Sequence, residues 1–209
     1  MVELGRVDIC VEASLLSSHM ALPREGHLLQ LYQVFAYLKS HHNFEMVFDP
    51  SELEIDRSLF VRQDWAATVY GDSLEEELPV NMPESRSQGF IINAYVDSDH
   101  AGNVATIWSR TGFLVFFNSA LIFWMSKKQT DIETSSFGSE FTAMKHCSEY
   151  VRGLRYKLRM MRIACIEPTY IFGDNQSVLG STTVPHSVLK KKSNAIAYHF
   201  VREGCARDE

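Results

Sequence analysis

Between Val11 and Ser40 the apolar residues fall mostly three and four apart: Leu15, Leu16 and Met20, then Leu28, Leu29, Leu31, Val34, Phe35 and Leu38. That interval marks one face of a helix, and Pro23 interrupts it, so the spacing predicts two amphipathic helices, the second from about Arg24 to Ser40. From Asp49 to Gln88 no period is sustained. Pro50, Pro79 and Pro83 break the stretch and positions 74–77 read Leu-Glu-Glu-Glu, a composition that predicts an acidic connector with loose segments. Beyond it the pattern shortens. Phe90 to Val96, Gly112 to Phe117 and Ala120 to Met125 are strand-like apolar runs, and Asn118-Ser119 between the last two is a hairpin signal. From about Ser139 to Met161, Phe141, Met144, Cys147, Tyr150, Val151, Leu154 and Leu158 predict one long helix, or two in series around Gly153. Tyr170 to Phe172 reads as a short strand, Asn175 to Leu179 opens a helix, and Ser187 to Arg202 reads as a last, basic-ended one. Strand, strand, strand, helix, strand, helix, helix predicts an α/β layer, a mixed sheet with flanking helices, behind an N-terminal helical segment.

With 45% apolar and 22% charged residues among 209, the chain has ample material for a core. No apolar run reaches the roughly 18 residues of a membrane span, and the start MVELGRVDIC lacks the basic and long apolar regions of a secretory signal. A chain without membrane contact, in the cytoplasm or nucleus, is the expectation. Cys10, Cys147, Cys165 and Cys205 have no CxxC spacing and read as reduced thiols. A net charge of -6 argues against a generally basic nucleic-acid wrapper, while leaving room for a local basic strip.

Candidate chemistry lies where elements begin and end. Asp97 follows the first strand, Glu140 begins the long helix and Asp174 follows the short fourth strand. Strand ends in an α/β sheet converge on one edge, and helix starts facing that edge lie near them, so acids distant in sequence can meet there. Three carboxylates brought together repel unless a cation joins them. Hard oxygen donors of this number suit Mg²⁺, which takes its remaining ligands from water and phosphate. Two such ions about 3.5 to 4 Å apart can activate a water and stabilise the leaving oxygen of a phosphodiester. Taken singly, each aspartate reads equally as a turn residue or helix cap.

The surrounding text decides between these readings. YVDSDHAGN (95–103), SKKQTDIETSSFGSEFTAM (126–144) and FGDNQSVLGST (172–182) resemble, in order, the three blocks of the ribonuclease H domain of copia-type retrotransposon polyproteins, approximately Y-x-D-A-D-x-A-G, S-K-K-Q-x-x-x-x-x-S-S-x-x-x-E-Y-x-A and C-D-N-Q-S-A. Ser109 to Phe113 and AYHFVRE (197–203) extend the likeness. GRVDI, SLLSSHMALPREGHLLQ and YLKSHHNFEMVFDP resemble the segment that joins the polymerase to that domain. The resemblance implies a ribonuclease H-like domain over residues 89–209, behind a connection segment over 1–88.

It further implies Mg²⁺-dependent endonucleolytic cleavage of the RNA strand of an RNA/DNA hybrid, with Asp97, Glu140 and Asp174 holding two ions and Mn²⁺ as a possible substitute. Water would attack the phosphorus in line and leave a 3′-hydroxyl and a 5′-phosphate. The partners implied are the hybrid and the polymerase domain of a parent polyprotein. Asp99 is then an accompanying acid whose role is a turn bond to Gly102 or nearby amides. Two departures are set against this. The family continues past its YHF-x-RE helix into a fifth strand and a helix carrying a fourth acid, so the resemblance leaves the domain truncated before both. The expectation is an uncovered sheet edge and a missing ligand, unless Glu203, Asp208 or Glu209 substitutes. Nothing resembles a polymerase active site.

A hybrid needs cations and hydrogen-bonding groups along its backbone. The candidates are Arg110, Lys127, Lys128, Gln129, Asn175, Gln176 and the run Lys190-Lys191-Lys192, which also reads as a solvated face. Asn175 equally caps the next helix, as Ser135, Ser136 and Ser139 cap the one bearing Glu140. Trp124 is expected in the core. The rival readings are a non-catalytic remnant that binds nucleic acid or protein, and a connection module that only positions other domains.

Overall fold

The structure is a computed structural model and describes residue 2 and residues 5–71, 78–102, 107–165, 167–189 and 192–209. The acidic run at 74–77 and Lys190 and Lys191 lie outside the described residues. Strands β1 (Ile92–Asp99), β2 (Arg110–Phe117) and β3 (Ala120–Lys128) form an antiparallel meander, and β4 (Tyr170–Phe172) adds to β1 in parallel, giving the order β3-β2-β1-β4. The architecture is the mixed α/β one that the spacing predicts.

Asn118 makes the hairpin. It takes the left-handed φ of 52° that asparagine tolerates. Its side chain accepts from the Ile91 amide at 3.0 Å and donates to the Pro50 carbonyl at 3.0 Å. One turn residue thus ties the β2–β3 loop to the start of β1 and to the connector.

The alternation along β1 sorts the two faces of the sheet. Ala94, Val96 and Ser98 point inward, while Tyr95, Asp97 and Asp99 are exposed on the other face. Against the inward face lies α3 (Ser136–Met160), a single helix that runs through Gly153 unbroken and buries Phe141, Ala143, Met144, Cys147, Val151 and Leu158. It starts three residues ahead of the apolar period, for of the three candidate serines Ser135 is the cap and accepts from the Gly138 amide at 3.3 Å. Helices α4 (Gln176–Thr183) and α5 (Ala195–Ala206) complete that layer through Val178, Tyr198 and Val201.

The last helix begins later than the periodicity suggests. Buried Arg202 donates to the carbonyls of Ser181, Val184 and Pro185 at 2.6 to 2.8 Å, and the Tyr198 hydroxyl donates to the Ser187 carbonyl. These carbonyls are held by side chains of α5, and residues 184–189 form no helix.

On the outer face, α1 (Cys10–Ser17) packs over β3, and α2 (Glu25–Ser40) packs on α1 with no buried residue of its own. The connector is irregular, as expected, but parts of it are seated on the sheet and helices. Phe60 stacks edge-on to Tyr170 and Phe172 at the outer side of β4, Trp65 is 6% exposed under Arg202, and the Tyr70 hydroxyl lies 2.8 Å from His199 Nδ1. Gly89 has a φ of +82° and approaches the Ala164 carbonyl so closely that a Cβ would stand 2.5 Å from it. All four cysteines are free thiols, and no helix among the described residues is long and apolar enough to cross a membrane.

Candidate metal centre

Three elements deliver one carboxylate each to a single point. Asp97 stands near the end of β1, Glu140 in the second turn of α3 and Asp174 just past β4; each offers an oxygen, and these oxygens lie within 4.8 Å of one another. Asp97 and Asp174 are exposed and Glu140 is half-buried. The convergence follows from the pairing: β4 runs parallel to β1, so both strands end at the same edge, and the first turns of α3 cross that edge.

The electrostatics of the cluster are those of crowded anions. Burial, then the charges of Asp97 and Asp174, push the Glu140 carboxyl up to about 7, against hydrogen bonds from Ser98 that favour its ionised form. Oxygen-only donors, three in number and mutually repelling, fit a hard divalent cation such as Mg²⁺ and leave coordination positions for water or phosphate. Among the described residues no other group of three such side chains exists. The candidates for a fourth acid are engaged elsewhere: Glu203 with Arg152 and Arg207, Asp208 with Arg62, and Glu209 with Arg152.

The space beside Asp97 is kept open by its cross-strand neighbour. Gly112 is paired with Asp97, carries no side chain, and borders an open hollow of about 280 Å³ that Val7, Cys10 and Val11 also line. Asp99 is turned away and lies against Gly102, where any side chain would collide with its carboxylate.

The candidate contacts to a nucleic-acid backbone fall in four places. Gln176 is exposed beside Asp174, and Asn175 caps α4, its Oδ1 accepting from the Ser177 and Val178 amides at 3.1 and 3.2 Å. Lys128 is exposed, with its ammonium 4.2 Å from the centre of the Trp108 ring. Arg110 is half-buried under α1 and donates to the hydroxyls of Ser14 and Ser18. Gln129 is corrected by its burial. It is 2% exposed and donates to Thr111 Oγ1 at 3.0 Å and to the Ser139 carbonyl at 2.9 Å, so its amide faces the core.

Sequence reasoning passed over Ser98 and Gly112. The alternation of β1 could have found the first, since Ser98 must point inward if Asp97 points out. Trp124 is half-buried beneath α1, lining the hollow with Asp97.

No family model matches the chain. It is 27% identical over 199 residues to the retrovirus-related Pol polyprotein from transposon RE1 of Arabidopsis thaliana, covering 94% of this chain and 11% of that polyprotein. The polyprotein of transposon RE2 from the same plant is 25% identical with the same coverage, and that of transposon TNT 1-94 of Nicotiana tabacum is 26% identical over 54% of this chain. The chain therefore spans about a ninth of the length of the two Arabidopsis relatives. Among solved structures it is similar to RNase H1 from Halobacterium salinarum, with a TM-score of 0.43 and 13% identity over 56% of this chain and 79% of that one. A second is the N-terminal RNase H domain of a Mycobacterium tuberculosis protein, with a TM-score of 0.43 and 11% identity over 57% and 76%. Over nearly all of its length, the chain is similar to a short stretch of two transposon Pol polyproteins.

Proposed function

We propose that this chain is the ribonuclease H portion of a transposon polyprotein and cleaves the RNA strand of an RNA/DNA hybrid, with divalent cations, Mg²⁺ or Mn²⁺, held by Asp97, Glu140 and Asp174. The observation that carries the reading is the meeting of three carboxylates from three separate elements within 4.8 Å. Burial, and then the charges of Asp97 and Asp174, raise the Glu140 carboxyl to about 7, a penalty on its ionised form that a cation would relieve. When bound, the cations supply Lewis acidity, polarising the scissile phosphate and making a water acidic enough to attack it. The chain's own groups position the substrate. Gln176 presents an exposed amide next to Asp174, and Asn175, its Oδ1 committed to the α4 cap, keeps its amide nitrogen for donation to a sugar or base edge. Lys128 offers a phosphate contact at the end of β3. Arg110 joins only where a phosphate displaces Ser14 and Ser18 from its guanidinium.

A non-catalytic remnant that binds nucleic acid is the second reading, favoured by the pairing of Glu203, Asp208 and Glu209 with arginines away from the cluster. One assay separates the two. Given a strand-labelled hybrid and Mg²⁺, the protein cuts the RNA strand alone, and Asp97→Asn ends the cutting while hybrid binding persists. Binding without cutting, unaltered by Asp97→Asn, would establish the remnant. The similarity to polyproteins many times longer supports a polymerase domain of the parent as the chain's neighbour.

A further inference from the structure

Directly beneath the acid cluster, among apolar side chains, lies a chain of buried hydroxyl and amide groups. Ser98 follows Asp97 in β1 and Ser139 precedes Glu140 in α3; they are 8% and 0% exposed, and their hydroxyls stand 3.0 Å apart. Ser139 Oγ also donates to the Ser136 carbonyl at 2.9 Å, and the Ser139 carbonyl accepts from Gln129 Nε2. Gln129 is fixed in turn, its side chain to Thr111 in β2 and its backbone amide to the Ser109 carbonyl at 2.9 Å. Buried polar groups in an apolar layer cost stability unless they are paired, and Gln129 Oε1 has no partner among the described residues. Apolar residues of similar volume would pack the same junction without that cost, so a use beyond packing is called for.

The use follows from the chain order. The pleat sends Asp97 and Ser98 to opposite faces, and Ser139 and Glu140 are neighbours on the helix, so tying the two serines together fixes the two acids relative to each other. The Ser98 amide also donates to the Asp97 carboxylate, at 2.7 Å from its Oδ1. We propose that the Ser98–Ser139 pair, backed by Gln129, sets the separation of Asp97 and Glu140 and thereby the affinity of the acid cluster for a divalent cation. These are positioning residues, and the proposal rests on the reading of the cluster as a cation site.

The test is Mn²⁺ binding by the full chain, measured without substrate from the spectroscopic signal of the free ion. Ser98→Thr keeps a hydroxyl on a β-branched frame that a strand accepts, and Ser98→Val has the same shape without it. Val should weaken binding about tenfold, the lower range for groups that orient metal ligands, and Thr should stay within about twofold of the parent. Ser139→Ala, which only removes an oxygen, should also lose about tenfold, and the Ser98→Val/Ser139→Ala double variant should be no worse than the weaker single, because the two act as one unit. Equal affinities for the Thr and Val variants, or losses that multiply in the double variant, would overturn the proposal. Should Thr fit poorly, the unchanged affinity of Ser139→Ala would overturn it alone. Asp97→Asn is the control: if Mn²⁺ binding is indifferent to it, the cation reading falls and the positioning role with it, a result distinct from intact binding that ignores the serines.

Discussion

Helices α2 and α3 are read from the same three-and-four periodicity, yet they end in opposite circumstances. Over 25 residues α3 buries an apolar stripe against the sheet and carries Glu140 to the acid cluster; over 16 residues α2 buries nothing and leaves Leu28, Leu29, Leu31, Tyr32 and Phe35 exposed. Periodicity states that a helix has an apolar face and is silent about what covers it. In this chain the covered helix carries Glu140 to the acid cluster, and the uncovered one packs on α1 and its flanks.

The contrast is tested most severely by activity. Replacing Glu140 by Gln in α3 should lower hybrid cleavage by about a thousandfold or more, since several kcal/mol of charge stabilisation depend on the ligand set. Replacing Leu29 and Tyr32 by Ala in α2 should leave the cleavage rate unchanged in the same assay. Stability gives the next largest difference. Phe141 is fully buried and Phe35 is 55% exposed, so Phe141→Ala should cost about 3–5 kcal/mol in urea denaturation and Phe35→Ala less than about 0.5. A comparable cost for Phe35→Ala would mean that α2 is covered in solution after all. Between these lies the connector, where Trp65→Ala should destabilise by about 2–4 kcal/mol, far above a surface residue, because its ring is buried against Arg202.

The smallest expected effect is that of pH. The Glu140 carboxyl is raised from 4.5 to about 7 in the folded chain, so between those values the native state binds a proton that the unfolded state has released. Metal-free stability should therefore decline as pH rises across that window, and Glu140→Gln should flatten the decline. The affinity for Mn²⁺ should climb through the same window as the ion displaces the proton, levelling above about pH 8.

Where local pattern and tertiary structure agreed, the sequence was enough. β4 falls where Tyr170 to Phe172 predicted it, and the three acids are followed or preceded by text specific enough to name their elements. The misses have tertiary causes. Gln129 follows two exposed lysines and nothing in its neighbours signals the turn inward, which is imposed by hydrogen bonds to Thr111 and Ser139 from other elements. Helix α5 starts at Ala195, and Arg202 within it reaches back 17 to 21 residues to carbonyls that lie ahead of the predicted start. The docked connector was masked by its prolines, although Phe60, Trp65 and Tyr70 are more aromatic weight than a free linker carries.

Arg202 also bears on where the chain can be cut. Its guanidinium lies 4.7 Å from the ring centres of both Trp65 and Tyr198 and 5.6 Å from that of Tyr70. A fragment beginning at Gly89, the boundary that the resemblance implies, would discard two of those three rings and leave a cation beneath an open roof. A fragment that keeps the aromatic lid must begin ahead of Trp65.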